Sequence, residues 1–159
     1  MLKLYKLINN KLHYWETWDD GKTATIHSGI VGEPGEQNKV TGGLFSNFRK
    51  KVQKEISAKL KEGYAEFDDD EMAFLEVEYI IDGFGTDEDL DKRHRLENHL
   101  NELLGWTGIG YVDGGSIGSG TMEAGCIVVD FDIAKKIIEE NLKNTEFGDY
   151  SRIFKMGDE

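Results

Sequence analysis

Residues 67–71 read FDDDE, four consecutive acids behind one aromatic residue. No apolar period runs through them, so neither a helical stripe nor an alternating strand crosses this point. They lack the D-x-D-x-D-G spacing and the distal glutamate of a calcium loop, and read as a linker rather than as metal ligands. Charge reverses across the stretch. Residues 1–64 carry ten Lys and one Arg against seven Asp and Glu, a net of +4; residues 65–159 carry eight basic against 24 acidic residues, a net of −16. The expected organisation is two modules, residues 1–66 and 72–159, joined by the acidic linker 67–71.

A hydrophobic fraction of 38% over 159 residues supports two small cores. No apolar run approaches the roughly 20 residues that span a bilayer. Met1 opens straight into strand-like sequence, so neither a membrane helix nor a signal peptide is expected. The single cysteine, Cys126, has no internal disulfide partner, which favours a cytoplasmic setting.

Upstream of FDDDE, three strand-like runs, Leu2–Ile8, Leu12–Trp18 and Thr23–Val31, are separated by Asn9-Asn10 and Asp19-Asp20-Gly21, turn signals that predict an antiparallel meander. A glycine-rich loop follows. The spacing then predicts a helix from about Leu44 to Glu62, burying Phe45, Phe48, Val52, Ile56 and Leu60, with Gly63 as its stop. Lys50, Lys54 and Lys61 fall opposite that stripe and Lys51 to one side, as either a solvated face or a phosphate-facing one.

Downstream, AFLEVEYIID (Ala73–Asp82) alternates Leu75, Val77, Tyr79 and Ile81 against Glu76 and Glu78, a strand with one wet face. Thr86 with Asp89 is a capping-box signature opening a helix whose Leu96, Leu100, Leu103 and Leu104 point inward. Two strands follow, IGYVDGGSIGSG and TMEAGCIVVDF. Asp132 is read as the cap of a helix carrying Ile133, Ile137, Ile138 and Leu142, and Tyr150–Met156 closes as a strand. The fold class is α+β: an antiparallel sheet with one helix, then a βαββαβ plait with both helices on one face.

Several motifs invite chemistry. In GGSIGSG, Ser116 fits Gly-x-Ser-x-Gly, but that elbow needs a helix after it and a histidine later in the chain. Here a strand follows, and no histidine lies beyond His99. A phosphate loop would need a lysine and a following helix. His94, Glu97 and His99 resemble a zinc helix, but the histidines are five apart, about 140° around, and Asn98 stands where an inverted zincin has histidine. Cys126, in an apolar strand, reads as a small buried hydrophobe. No catalytic set, metal site or cofactor is expected.

KLYKL at the start, HYWETW, the loop G-x-x-G-E-P-G-E-Q and FRKKVQKEISAKLKEGY together make residues 2–66 resemble a WGR domain, a module of some poly(ADP-ribose) polymerases and bacterial proteins. That family's Lys-rich turn before Gly-Tyr is matched by Lys59, Lys61, Gly63 and Tyr64. The resemblance implies nucleic-acid binding through the tryptophan and arginine of its name. This chain has Ser28 and Ile30 in those places and keeps only Gly29. Serine cannot stack on a base, and isoleucine cannot pair with phosphate. Residues 72–156 resemble small bacterial ferredoxin-like domains with a G-x-VDGG-x-IGSG-x-M pattern, Gly110 to Met122, which implies a fold and no activity.

The expectation is a non-catalytic cytoplasmic binding protein, bacterial by resemblance. Its partner would be a protein or peptide, received at a sheet edge or at the glycine-rich hairpin. An immunity or antitoxin role, masking a basic surface, would suit the charge. Trp18, Asp113, Ser116 and Ser119 are the candidate contacts. The alternative is nucleic-acid binding through Lys50, Lys51, Lys54 and Lys61.

Overall fold

The structure, a computed structural model, describes residues 1–157. The elements are β1 (Leu2–Ile8), β2 (Lys11–Asp19), β3 (Thr23–Ile30), β4 (Glu36–Thr41), α1 (Phe48–Lys61), β5 (Ala73–Ile80), α2 (Asp87–Trp106), β6 (Gly110–Gly118), β7 (Thr121–Val128), α3 (Phe131–Leu142) and β8 (Arg152–Lys155). They form two four-stranded antiparallel sheets and three helices, an α+β fold. The chain divides into two compact units between Asp69 and Asp70. Asp69–Glu71 make one 3-10 turn.

In the first unit the strand order is β1-β2-β3-β4. Asn9 and Asn10 both take positive φ (51° and 62°) and join β1 to β2 as a two-residue hairpin turn, the geometry that Asn tolerates best after Gly. The free edge of β1 is taken by Ala65, which exchanges both backbone hydrogen bonds with Tyr5 (2.7 and 3.0 Å). Phe67 then stands edge-on to the Tyr5 ring.

Two readings of this unit are corrected. Residues 36–41 (EQNKVT) form the edge strand β4, which the sequence does not announce because five of the six side chains are exposed and only Val40 is apolar. The helix begins at Phe48, four residues after the predicted start. The Asn47 side chain accepts from the Arg49 N–H (2.9 Å) and fixes the N-cap. Gly43 and Ser46 close a tight turn ahead of it. Leu44 and Phe45 therefore sit fully exposed on that turn, and Leu60 is exposed near the helix end. The buried stripe is Phe48 and Val52 with half-buried Ile56, packed on Ala24 and Val40.

The second unit has strand order β6-β7-β5-β8, with α2 between β5 and β6 and α3 between β7 and β8. This is the βαββαβ order predicted above. Leu75, Val77, Leu96, Leu100, Leu104, Ile138 and Leu142 are completely buried on the helix-covered face of the sheet. Each such side chain contributes about 1.5–3 kcal/mol by transfer from water, so α2's three leucines outweigh the few tenths lost at each of its Asp, His and Asn positions. The capping box of Thr86 and Asp89 forms as read. At α3 the cap is Asp130, not Asp132: its side chain accepts from Ile133 N–H, and Asp132 lies within the first turn. The last strand is four residues, Arg152–Lys155, shorter than the predicted Tyr150–Met156. Edge strand β6 carries a bulge between Val112 and Gly114, and Asn101 Oδ1 accepts the Val112 N–H (3.2 Å).

Candidate functional site

Strand β5 lies inside the second sheet, and its alternation divides it. Leu75, Val77 and Tyr79 face the helices; Phe74, Glu76, Glu78 and Ile80 occupy the opposite face. Register carries that face across the sheet in rows. Tyr111, Ile127 and Phe74 share one row, Gly114, Gly125, Glu76 and Phe154 the next, and Ser116, Glu123, Glu78 and Arg152 the third. The Phe74 ring covers Gly125, where a methyl group would come within 2.8 Å of Phe74 Cζ.

The third row is wired. Glu78 receives both Arg152 Nε (3.0 Å) and Nη2 (2.9 Å), and the Ser151 hydroxyl (2.7 Å). The Arg152 hydrogen bonds hold its carboxyl below the usual carboxylate range. The Arg152 guanidinium lies 4.0 Å from the Phe154 ring centroid. Ser116 Oγ donates to Glu123 Oε2. Glu76 differs from both carboxylates. Among the described residues it accepts no hydrogen bond and forms no ion pair, although it sits half-buried on an interior strand. Burial, then the charges of Glu123 and Glu78, push its carboxyl above the ordinary value.

Of the candidate contacts, Asp113, Ser116 and Ser119 lie along the β6–β7 hairpin. Ser116 reaches the carboxylate row. Asp113 is the exposed residue of the bulge, and Ser119 is exposed in the turn at φ 54°. Trp18 lies in the other unit, half-buried, its ring edge-on to His27. The sequence reading found the wet face of β5 from Glu76 and Glu78. It missed Arg152, whose partner is 74 positions away, because nothing local marks such a pair.

The chemistry-bearing motifs disperse. Ser116 lies within strand β6 and β7 follows it. His94 is exposed, and His99 is hydrogen-bonded to Asn141. Cys126 is fully buried, and burial, with help from Glu97, pushes its thiol up to about 12. Among the described residues no group of three or more His, Cys, Asp or Glu side chains is placed to hold a metal ion.

In the first unit the glycine-rich loop folds down onto the sheet. Gly32 takes φ 92°, and a methyl group at Gly35 would sit 2.2 Å from Tyr14 Oη and 2.3 Å from the Ser28 carbonyl oxygen. Beneath the loop runs a buried relay that sequence reading missed. Tyr14 Oη lies 3.1 Å from His27 Nε2 and donates to the Glu33 carbonyl (3.4 Å). His27 Nδ1 bonds Glu16 Oε1 (2.7 Å), and Glu16 Oε2 pairs with Lys3 (3.3 Å). Burial pushes the Tyr14 phenol up to about 12, so it serves as a donor and not as a base. A cleft of about 340 Å³ opens beside the loop, lined by His13, Ser28, Glu33, Lys59 and Tyr64 among others. On α1, Lys50, Lys54 and Lys61 are exposed and form no ion pair among the described residues, while Lys51 donates to the Thr41 carbonyl (3.1 Å).

No family model matches this chain, and neither a curated protein nor a solved structure matches it.

Proposed function

We propose that this chain is a non-catalytic binding protein whose second unit receives a basic protein partner on the open face of its sheet. The observation that carries the reading is Glu76, a half-buried carboxylate flanked by Glu123 and Glu78, whose nearby base, Arg152, gives its hydrogen bonds to Glu78 instead. Such a group is relieved by a cationic side chain brought from outside. The net charge of −16 on residues 65–159 draws such a partner in and repels a polyanion. An immunity-type role, covering a basic surface of another protein, fits this chemistry. On this reading the ferredoxin-like resemblance supplies the platform, and the WGR resemblance supplies a scaffold without its nucleic-acid tip.

Affinity purification on the immobilised full chain, with mass spectrometry, tests the proposal. A basic protein should be retained by the native chain, lost in high salt, and lost with a Glu76→Gln/Glu123→Gln variant. Retention of nucleic acid, abolished by Lys50→Glu/Lys54→Glu/Lys61→Glu, would overturn it in favour of α1 as a phosphate-binding face.

The same glutamate predicts a stability signature. Its folded-state pKa is raised, so its contribution to stability is full below the unfolded value of about 4.3 and is lost as pH rises through the folded value. Glu76→Gln is therefore expected to raise the urea midpoint at pH 7, with a smaller difference below about pH 4. An equal effect at both pH values would show that charge is not the cause.

A further inference from the structure

At one end of the open face the structure places two large apolar side chains in solvent. Phe84 is 86% exposed and Ile80 is 70% exposed. Their support is rigid. Ile81 N–H donates to the Gly120 carbonyl (2.9 Å), Gly120 N–H to the Gly83 carbonyl (2.7 Å) and Gly85 N–H to the Asp82 carbonyl (3.0 Å), locking the loop after β5 against the β6–β7 turn. Ile117 and Ile81 converge under Gly85, where a methyl group would come within 2.7 Å of Ile117 Cδ1. Phe84 lies beside Gly118. Gly83, Gly85, Gly118 and Gly120 all take positive φ, a path that side-chain-bearing residues rarely follow. The tip is a fixed apolar knob.

Its surroundings say what it meets. Residues 80–89 and 114–123 contain no Lys or Arg, but hold Asp82, Asp87, Glu88, Asp89 and Glu123. In a symmetric pair a second copy of the chain would bring the same acids against these, and an anionic bilayer would repel them. Ile80 is also the next residue after Glu78 on the open face of β5, so knob and carboxylates lie on one continuous face. We infer that Phe84 and Ile80 are the apolar anchor of the interface, inserted into a hydrophobic cleft with a basic rim on the partner protein. This rests on the binding reading above and adds to it where the contact is centred. An apolar anchor ringed by charge is the usual anatomy of a strong contact.

The test incorporates the photo-crosslinker benzoylphenylalanine at position 84 of the full chain in its host, identifies the crosslinked protein, and titrates that purified protein against variants. Phe84→Ser and Ile80→Ser should each weaken binding about tenfold or more, with unchanged melting because both positions are exposed. Glu76→Gln should weaken it and flatten its salt dependence. If Glu76→Gln weakens binding and the two serine variants do not, the anchor is overturned and the basic-partner reading stands. If none of the three changes affinity, both are overturned. Concentration-dependent dimers abolished by Phe84→Ser in sedimentation would overturn the anchor in favour of self-association. Phe84-dependent binding to phosphatidylcholine–phosphatidylglycerol vesicles would overturn it in favour of lipid.

Discussion

Glu16→Ala is expected to destabilise the first unit by about 3 kcal/mol. Glu16 is 4% exposed and His27 is 1% exposed, so neither can turn to water when the other is removed. Loss of the carboxylate removes the 2.7 Å hydrogen bond at His27 Nδ1, at about 1–3 kcal/mol for a buried polar contact, and leaves a void where the side chain packed. Lys3 escapes the same penalty because its side chain, 23% exposed, reaches solvent. Glu16→Gln retains an acceptor for His27 and should lose about 1 kcal/mol. Urea denaturation read through Trp15 and Trp18 fluorescence separates the two. A loss below about 0.5 kcal/mol for Glu16→Ala would show that the relay does not hold the sheet together.

Gly110→Ala should be comparably damaging to the second unit, by about 3 kcal/mol. The glycine opens β6 opposite Val128, and a methyl group there would sit 1.9 Å from the Ile127 carbonyl oxygen and 3.0 Å from Val128 Cα. Backbone cannot yield as a side chain does, so the end of the β6–β7 ladder has to part. Hydrogen exchange should show lost protection for the amides at that end. Unchanged protection and an unchanged urea midpoint, followed by Trp106 fluorescence, would contradict the prediction.

Much of this architecture is legible because the deciding signals are local. The alternation of Leu75, Glu76, Val77, Glu78 and Tyr79 reports a strand and its two faces, and Thr86 with Asp89 fixes a helix start within four residues. Where a local signal competes with another, reading fails. Leu44 and Phe45 continue the helical period, but the Asn47 cap and the Gly43–Ser46 turn override it. β4 is invisible because it is held by its neighbour's backbone and not by burial of its own side chains. The candidate site was half legible. Glu76 and Glu78 were seen as a wet face, but what singles out Glu76 is that Arg152 goes to Glu78, and Ser116 to Glu123, choices made by strand order. The relay of Tyr14, His27 and Glu16 is hidden for the same reason, since only the β2–β3 register brings its members together.

The bulge at Asp113 and the Asn101 bond to Val112 bear on how the second sheet can be used. A sheet can grow by accepting another chain's strand along an open edge. Here one edge strand breaks its own ladder at Asp113 and spends the Val112 amide on a helix side chain, and the other edge strand is only four residues long. The sheet therefore resists lengthening, whether by a peptide or by copies of itself. Resistance to edge-to-edge aggregation is thus built into both sides of the sheet, by the bulge and the Asn101 bond at one edge and by the short strand at the other.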